Sequence, residues 1–241
     1  MSARPLVVMP TFDEADNLER TAALVLAADP RVDLLVVDDD SPDGTGAIAD
    51  RLAAAEPRIR VLHRRRRDGL GRAYLEGFRL AIEHGATVVI EMDADGSHPA
   101  DRLPALLDAL DAGADLAIGS RWVPGGRVVD WPWLRRALSR GGNAYARIAL
   151  GIPVRDATAG FRAYRAERLA GLDLDGVHSR GYCFQIDMTL RAHDAGLRIA
   201  EVPIAFTERV AGRSKMSGAI IAEAMLRVTV WALRRRLRRP R

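Results

Sequence analysis

Cysteine is nearly missing from this chain: Cys183 is the only one in 241 residues. A single cysteine excludes an intrachain disulfide and a cysteine-based zinc site, and it fits a reducing compartment. Its neighbours Tyr182 and Phe184 mark it as a small buried hydrophobe rather than a nucleophile. No stretch approaches the ~20 apolar residues of a membrane-spanning helix. The longest, over residues 220–233, is interrupted by Glu223 and Arg227. Leu6-Val7-Val8-Met9 is too short for a secretory leader and Pro10 ends it, so a soluble or peripheral protein is expected. No 20–50-residue period recurs, which excludes a repeat array. The last eight residues hold no acid and six arginines. Without them 30 basic residues face 32 acidic ones, so the formal +4 becomes −2. The body is close to neutral, which argues against a nucleic-acid-binding face.

What is present is an ordinary globular composition, 48% hydrophobic and 28% charged, long enough for one full core. Short apolar runs alternate with helical periodicity. Strands are expected at 6–9, 33–37, 59–62, 87–92 and 116–119, with helices at 14–28, 46–55, 71–83 and 99–112 between them. This rhythm predicts an α/β fold, a mostly parallel sheet with helices on both faces. Past Ser120 it changes. The sequence predicts a loop at 121–126, a basic helix at 133–150, a strand at 159–164 and a helix at 182–195. A strand follows at 198–202 and continues past Pro203 to 206. A polar loop at 208–217 leads to a last helix at 219–237. With no linker composition, the division is one domain over 1–217 and a C-terminal amphipathic helix with basic tail over 218–241.

Asp93-Ala94-Asp95 stands at the end of the 87–92 run and before Gly96-Ser97-His98-Pro99. Ligands of open α/β sheets bind at the carboxyl ends of strands. Hard divalent cations take carboxylate oxygens together with substrate phosphates. A lone Asp-x-Asp is common in loops, but two further strand ends carry polar loops, Pro10–Glu14 and Asp38–Thr45. Helix capping accounts for one acid per loop, not for three consecutive aspartates. Acids crowded on one edge require a cation or hydrogen-bond donors. Gly69-Leu70-Gly71 resembles half of a dinucleotide fingerprint, but Tyr74 stands where its third glycine belongs, which excludes a Rossmann oxidoreductase. Arg64–Arg67 reads as a solvated loop. Arg121 differs, because it follows the buried-looking Ile118-Gly119-Ser120, and arginine suits phosphate. Arg209 and Lys215 frame a loop able to close over a phosphate.

These segments, with Ser139–Asn143, Thr158–Arg162 and Gly181–Gln185, appear in one order along nearly the whole chain. Together they resemble the polyprenol monophosphate (dolichol-phosphate) mannose synthases of glycosyltransferase family 2, in their actinobacterial form. The resemblance implies a GT-A fold and transfer of mannose from GDP-mannose to polyprenyl phosphate. It implies nucleotide-sugar contacts from Pro10, Phe12 (where the family usually has tyrosine), Glu14, Val37, Asp39, Asp93, Ala94 and Asp95. Asp95 would be the direct ligand of Mg²⁺ or Mn²⁺, with Asp93 close by and Ser97 where some relatives place a glutamine ligand. Arg121, Arg209 and Lys215 would hold the donor diphosphate. Arg121, Arg135, Arg136, Ser139 and Arg140 would hold the acceptor phosphate. The catalytic set so implied is Asp95, Arg121, Arg209 and Lys215.

The acceptor is already an anion, so positioning matters more than a general base, and an inverting single displacement is expected. A lipid acceptor places the work at an anionic membrane surface, on the cytoplasmic face. There Ile220, Ile221, Ala224, Met225, Val228, Trp231 and Ala232 would form an apolar helical face ahead of the arginines. The resemblance further suggests an integral-membrane apolipoprotein N-acyltransferase-like partner. Two other readings remain open on the residues alone: a UDP-glucose-dependent relative with the same acceptor, and a non-catalytic lipid-phosphate-binding subunit.

Overall fold

The computed structural model describes residues 4–65, 68–179, 181–208 and 218–238. Strands β1 (Leu6–Thr11) and β2 (Asp33–Asp38) are almost wholly buried apolar runs, as strands covered on both faces must be. Between and after them come α1 (Leu18–Ala28), α2 (Thr45–Ala55), β3 (Ile59–His63), α3 (Leu70–Glu83) and β4 (Val88–Glu91). A 3₁₀ turn (Ala100–Arg102) leads into α4 (Leu103–Asp111) and β5 (Leu116–Ser120). The second half holds β6 (Arg127–Val128), α5 (Trp133–Leu150), β7 (Arg162–Arg165), α6 (Ala166–Ala170) and α7 (Tyr182–Asp194). It ends with β8 (Ile199–Pro203), β9 (Ala205–Phe206) and α8 (Gly218–Arg238).

The main sheet runs β3-β2-β1-β4-β7-β5-β8. All neighbours are parallel except β7, which lies antiparallel between β4 and β5. The expected mostly parallel sheet is therefore present. The strand predicted to continue past Pro203 does not. Proline has no N–H to extend the ladder, and Ala205–Phe206 leaves to pair with Arg127–Val128 in a separate parallel ribbon. Helix α1 starts at Leu18, later than predicted, because Glu14 and Ala15 donate their N–H groups sideways to Thr45 and Asp43.

Period-two alternation splits each central strand between two cores. Val7, Met9, Leu34 and Val36 pack with Leu18, Val25, Leu103 and Leu106 of α1 and α4. Leu6, Val8, Leu35 and Val37 pack with Tyr74, Phe78, Phe184 and Met188 of α3 and α7. Gly77 is required in α3, since a Cβ there would lie 2.3 Å from Val8 Cγ1. Cys183 is buried and its thiol is pushed up to about 11 by burial, as a packing residue should be.

Helix α8 packs against α5 and α7. Val228 and Ala232 are buried in that contact, Tyr145 hydrogen-bonds Thr229 at 2.6 Å, and Arg235 pairs with Asp194. Two residues predicted for the membrane face, Val228 and Ala232, thus serve the core instead. The outward apolar residues of α8 are Met225, Leu226, Val230, Leu233 and Leu237. Glu223 and Arg227, which interrupt the apolar run, pair with each other at 2.9 Å. No helix among the described residues is long and apolar enough to cross a membrane.

Glu91 is wholly buried behind the sheet edge, accepting Gln185 Nε2–H at 2.6 Å. Arg162, equally buried, donates to the carbonyls of Ala157, Ala159 and Gln185. Burial pushes the Glu91 carboxyl up to about 7, opposed by Arg162 and by hydrogen bonds from Gln185 and Tyr164. A raised folded value means the native state binds the extra proton between about 4.5 and 7. Its contribution to stability is complete below the lower value and lost as pH rises through the upper one. Glu91→Gln should flatten the fall in thermal stability across that window by up to about 3 kcal/mol. Melting curves of both proteins from pH 4.5 to 8 measure it, and parallel curves for the two would refute it.

Candidate active site

The C-terminal ends of β1, β2 and β4 lie side by side, so the three polar loops share one edge, as expected. Thr11 stands opposite Asp38 in the β1–β2 register and donates its hydroxyl to it at 2.8 Å. Ser41 gives Asp38 two more bonds. Asp43 accepts from Thr45 and from the Ala15 N–H, which ties the first loop to the second. Asp39 is paired with buried Arg64, which also holds Asp68 and Glu76. Arg64 is therefore no solvated loop residue, contrary to expectation. Arg65 is exposed, and Arg66 and Arg67 lie outside the described residues. Burial keeps the Asp39 carboxyl above the ordinary carboxylate range even beside that arginine. Asp13 and Asp40 adopt left-handed backbone at φ 58° and 57°. Aspartate tolerates that region better than most residues, and such strain gathers at functional loops.

In the third loop Asp93 accepts the Tyr74 hydroxyl at 2.8 Å, and its own N–H donates to His98 Nδ1 at 3.0 Å. Burial, with the charges of Asp93 and Glu91, holds the Tyr74 phenol well above its usual value, so it remains a donor. The residue that breaks the dinucleotide fingerprint is thus the one that secures Asp93. Asp95 accepts the Ser97 N–H at 3.0 Å, and the Ala94 carbonyl accepts Thr21. No group of three or more potential side-chain ligands exists among the described residues. Asp93 and Asp95 fit a cation that retains waters and takes phosphate oxygens, the habit of Mg²⁺ and Mn²⁺. Pro10 and Val37 are buried strand residues, so only their backbone can meet a ligand, whereas Phe12 and Glu14 are part-exposed. Glu14 accepts Asn17 Nδ2–H at 2.8 Å.

Arg121 leaves the end of β5 and meets Asp156, a fully buried carboxylate that sequence reasoning passed over. Nε and Nη2 of Arg121 donate to its two oxygens at 2.7 and 2.6 Å, and the Arg121 N–H donates at 2.9 Å. Nη2 also reaches Thr158 Oγ1 at 2.9 Å. The chain crosses so closely here that residue 126 must be glycine: a Cβ would lie 2.5 Å from the Ser120 carbonyl. The Arg121 guanidinium sits 5.7, 5.6 and 5.4 Å from the rings of Trp122, Trp131 and Phe206. Arg135 covers Trp131 at 4.0 Å and pairs with Glu208, while Arg140 covers Trp122 at 4.8 Å. Arg136 is exposed. Asn143 joins Ser139 of α5 to Thr158. A cavity of about 100 Å³ opens beside this cluster, polar at Arg121 and Ser139 and apolar along Leu138, Tyr145, Ile186 and Val228.

Phe206 joins the two halves. It stacks edge-on against His98 of the acidic loop at 5.6 Å and against Trp131 of the basic cluster at 5.5 Å. The structure thus gathers Asp39, Asp93, Ala94, Asp95 and Ser97 on one side and Arg121, Arg135, Ser139 and Arg140 on the other. Arg209 and Lys215 lie outside the described residues. Tyr74, His98 and Asp156 carried no assigned role on sequence, although His98 and Asp156 sit inside or beside quoted segments.

The site therefore joins an acidic strand edge to a caged arginine through Phe206. Residues 6–173 match the model of Glycosyl transferase family 2. The chain is 56% identical over 239 residues to a polyprenol monophosphomannose synthase of Mycolicibacterium smegmatis, covering 99% of this chain and 90% of that one. It is 53% identical over 230 residues to an undecaprenyl-phosphate mannosyltransferase of Micrococcus luteus, covering 95% and 94%. The fold is shared with glucosyl-3-phosphoglycerate synthase of Mycobacterium tuberculosis, solved with Mn²⁺, UDP and glucosyl-3-phosphoglycerate. That match has a TM-score of 0.68 at 22% identity, covering 100% of this chain and 82% of the other. The chain belongs to glycosyltransferase family 2, with the GT-A fold its sequence led us to expect.

Breaking a buried ion pair from one side costs roughly 3–5 kcal/mol. Asp156→Ala should therefore destabilise the protein by about 3 kcal/mol in urea denaturation. A loss below about 1 kcal/mol, the scale of surface pairs, would show that Asp156 does not cage Arg121.

Proposed function

We propose that this chain transfers mannose from GDP-mannose to the phosphate of a polyprenyl monophosphate, with inversion at the anomeric carbon. The observation that carries the reading is the junction at Phe206, where the acidic loop and the arginine cluster meet. The two curated relatives, by name, act on mannose and a polyprenyl phosphate. An acceptor phosphate oxygen attacks the sugar carbon while the bond to GDP breaks, and no enzyme-bound sugar forms. Arg121, held rigid by Asp156, and Arg135 bring the acceptor oxygen forward. Pro10, Phe12, Glu14, Val37, Asp39 and Ala94 line the nucleotide side of the edge. A divalent cation, Mg²⁺ or Mn²⁺, would be held by Asp95 with Asp93 and Ser97 near it, and would neutralise charge on departing GDP. The Mn²⁺ of the solved neighbour supports that class of metal. Arg209 and Lys215 are assigned to the diphosphate on sequence alone. The same neighbour was solved with UDP on this fold, so the fold does not choose the base, and UDP-glucose is the donor to test beside GDP-mannose.

Asp95→Ala should lower turnover roughly 100-fold or more even at saturating metal. Mass analysis of lipid made from labelled GDP-mannose and polyprenyl phosphate tests the reaction itself. A glucosylated product from UDP-glucose alone, or a retained anomeric configuration, would overturn it.

The acceptor's lipid places the work at a bilayer. Helices α5 and α8 present Trp133 (78% exposed), Leu134, Leu226 and Leu237 with the exposed Arg136, Arg140, Arg234 and Arg236. Apolar side chains rimmed by arginine suit an interface of anionic lipid, where each basic residue contributes about 1 kcal/mol. We assign residues 218–241 to that surface and the chain to the cytoplasmic face of the membrane. The same face suits an integral-membrane, apolipoprotein N-acyltransferase-like partner. A Trp133→Glu, Leu226→Glu protein should lose most of its sedimentation with anionic vesicles while keeping its melting temperature. Full retention on the vesicles would place the membrane contact elsewhere.

A further inference from the structure

Among the described residues, three buried nitrogen donors lack any hydrogen-bond partner: Nε1 of Trp122, Nε1 of Trp131 and Nε of Arg135. The other buried atoms without one, Asp33 Oδ1, Glu91 Oε1 and Gln185 Oε1, are oxygens and lie elsewhere. Each unmet buried donor costs on the order of 1–3 kcal/mol, so three at one place mark a site shaped for an acceptor-rich group. The rings that carry two of them separate the three arginines: Arg121 faces both indoles, Arg135 covers Trp131 and Arg140 covers Trp122. Asp130, immediately before Trp131, adopts left-handed backbone at φ 58°, a strained geometry held at this turn. Trp131 also lines the cavity at its polar end with Arg121 and Ser139.

We propose that the indole N–H groups of Trp131 and Trp122 are direct hydrogen-bond donors to the acceptor phosphate, completing the arginine cradle with uncharged groups. This rests on the polyprenyl-phosphate reading above. Its chemical sense is in the nucleophile. Every cation bound to a phosphate oxygen stabilises the ground-state anion and draws electron density from the attacking oxygen. Neutral donors orient the group with a smaller withdrawal of charge. Their distance from the acidic loop, bridged by Phe206, places them on the acceptor side and not the donor side.

Trp131→Phe keeps the ring between Arg135 and Phe206 and removes only the N–H. Its KM for polyprenyl phosphate should rise about tenfold, one hydrogen bond to a charged group, with the KM for GDP-mannose unchanged. Trp122→Phe should act in the same direction. The unchanged donor KM reports an intact fold. Independently, ¹⁵N-indole spectra of the full chain, which has four tryptophans, should show the Trp122 and Trp131 signals moving downfield with a soluble short-chain prenyl phosphate. The Trp231 signal should stay, and inorganic phosphate at the same concentration should move none. An unchanged acceptor KM in both variants, indole signals that ignore the prenyl phosphate, or an equal response to inorganic phosphate would each overturn the proposal. Failure of the wild-type chain to mannosylate polyprenyl phosphate would sink the underlying reading instead.

Discussion

The Arg121–Asp156 pair is the contact on which the basic half of the site depends. A guanidinium on a flexible side chain would follow whichever phosphate arrived first. Gripped through two nitrogens and its own backbone N–H by a carboxylate with no solvent exposure, it becomes a fixed point. A pre-set charge needs no reorganisation at the moment of reaction. The grip also explains the surroundings. Glycine at 126 lets the returning chain pass over the Ser120–Arg121 backbone. Glu201 braces the 155–156 backbone by accepting both N–H groups. Asn143 ties the same loop to α5. The helix that carries Arg135 and Ser139 is therefore indexed to Arg121 through Asp156 and Thr158.

The acidic half obeys a complementary rule. Carboxylates on three adjacent strand ends repel unless something neutralises them, and the structure satisfies most of them internally. Asp38 takes hydroxyls, Asp39 takes Arg64, Asp43 takes backbone and Thr45, and Asp93 takes a buried phenol. These contacts shape the loops of the acidic edge. Of the three-aspartate run, which on sequence called for a cation or hydrogen-bond donors, Asp38 and Asp39 find donors within the fold.

Strand and helix periodicities were legible because they are local: apolar runs for β1, β2 and β5, helical spacing for α3 and α4. The strand-end placement of Asp93-Ala94-Asp95 followed from the same pattern. What stayed hidden was set by distant residues. Arg64 looked solvated because nothing in 64–67 reveals Asp39 and Glu76 around it. Val228 and Ala232 read as a membrane face because amphipathicity shows that one side of a helix is apolar, not what covers it. Asp156 and Tyr74 are 35 and 19 residues from the groups they hold, beyond any periodic signal. The departure of residues 205–206 from the sheet had a local cue in Pro203, but the strand they join, β6, lies in a loop with no apolar pattern.

On the proposed function, a division of labour between charged and neutral donors follows from what each half must do to its phosphate. On the donor side a strongly cationic environment is favourable, because the diphosphate gains charge as it leaves and stabilising that charge lowers the barrier. On the acceptor side the phosphate loses charge as it bonds to carbon, so an equally cationic cradle would hold the ground state more tightly than the transition state. A site serving both anions therefore has reason to temper its acceptor side. Arg135 gives part of its charge to Glu208 and lies on an indole. Arg121 gives part of its charge to Asp156. Aromatic walls supply N–H groups without a full positive charge. On the proposed reading the aromatic enrichment around Arg121 is an electrostatic setting as well as packing: it would keep the acceptor bound in place and still reactive.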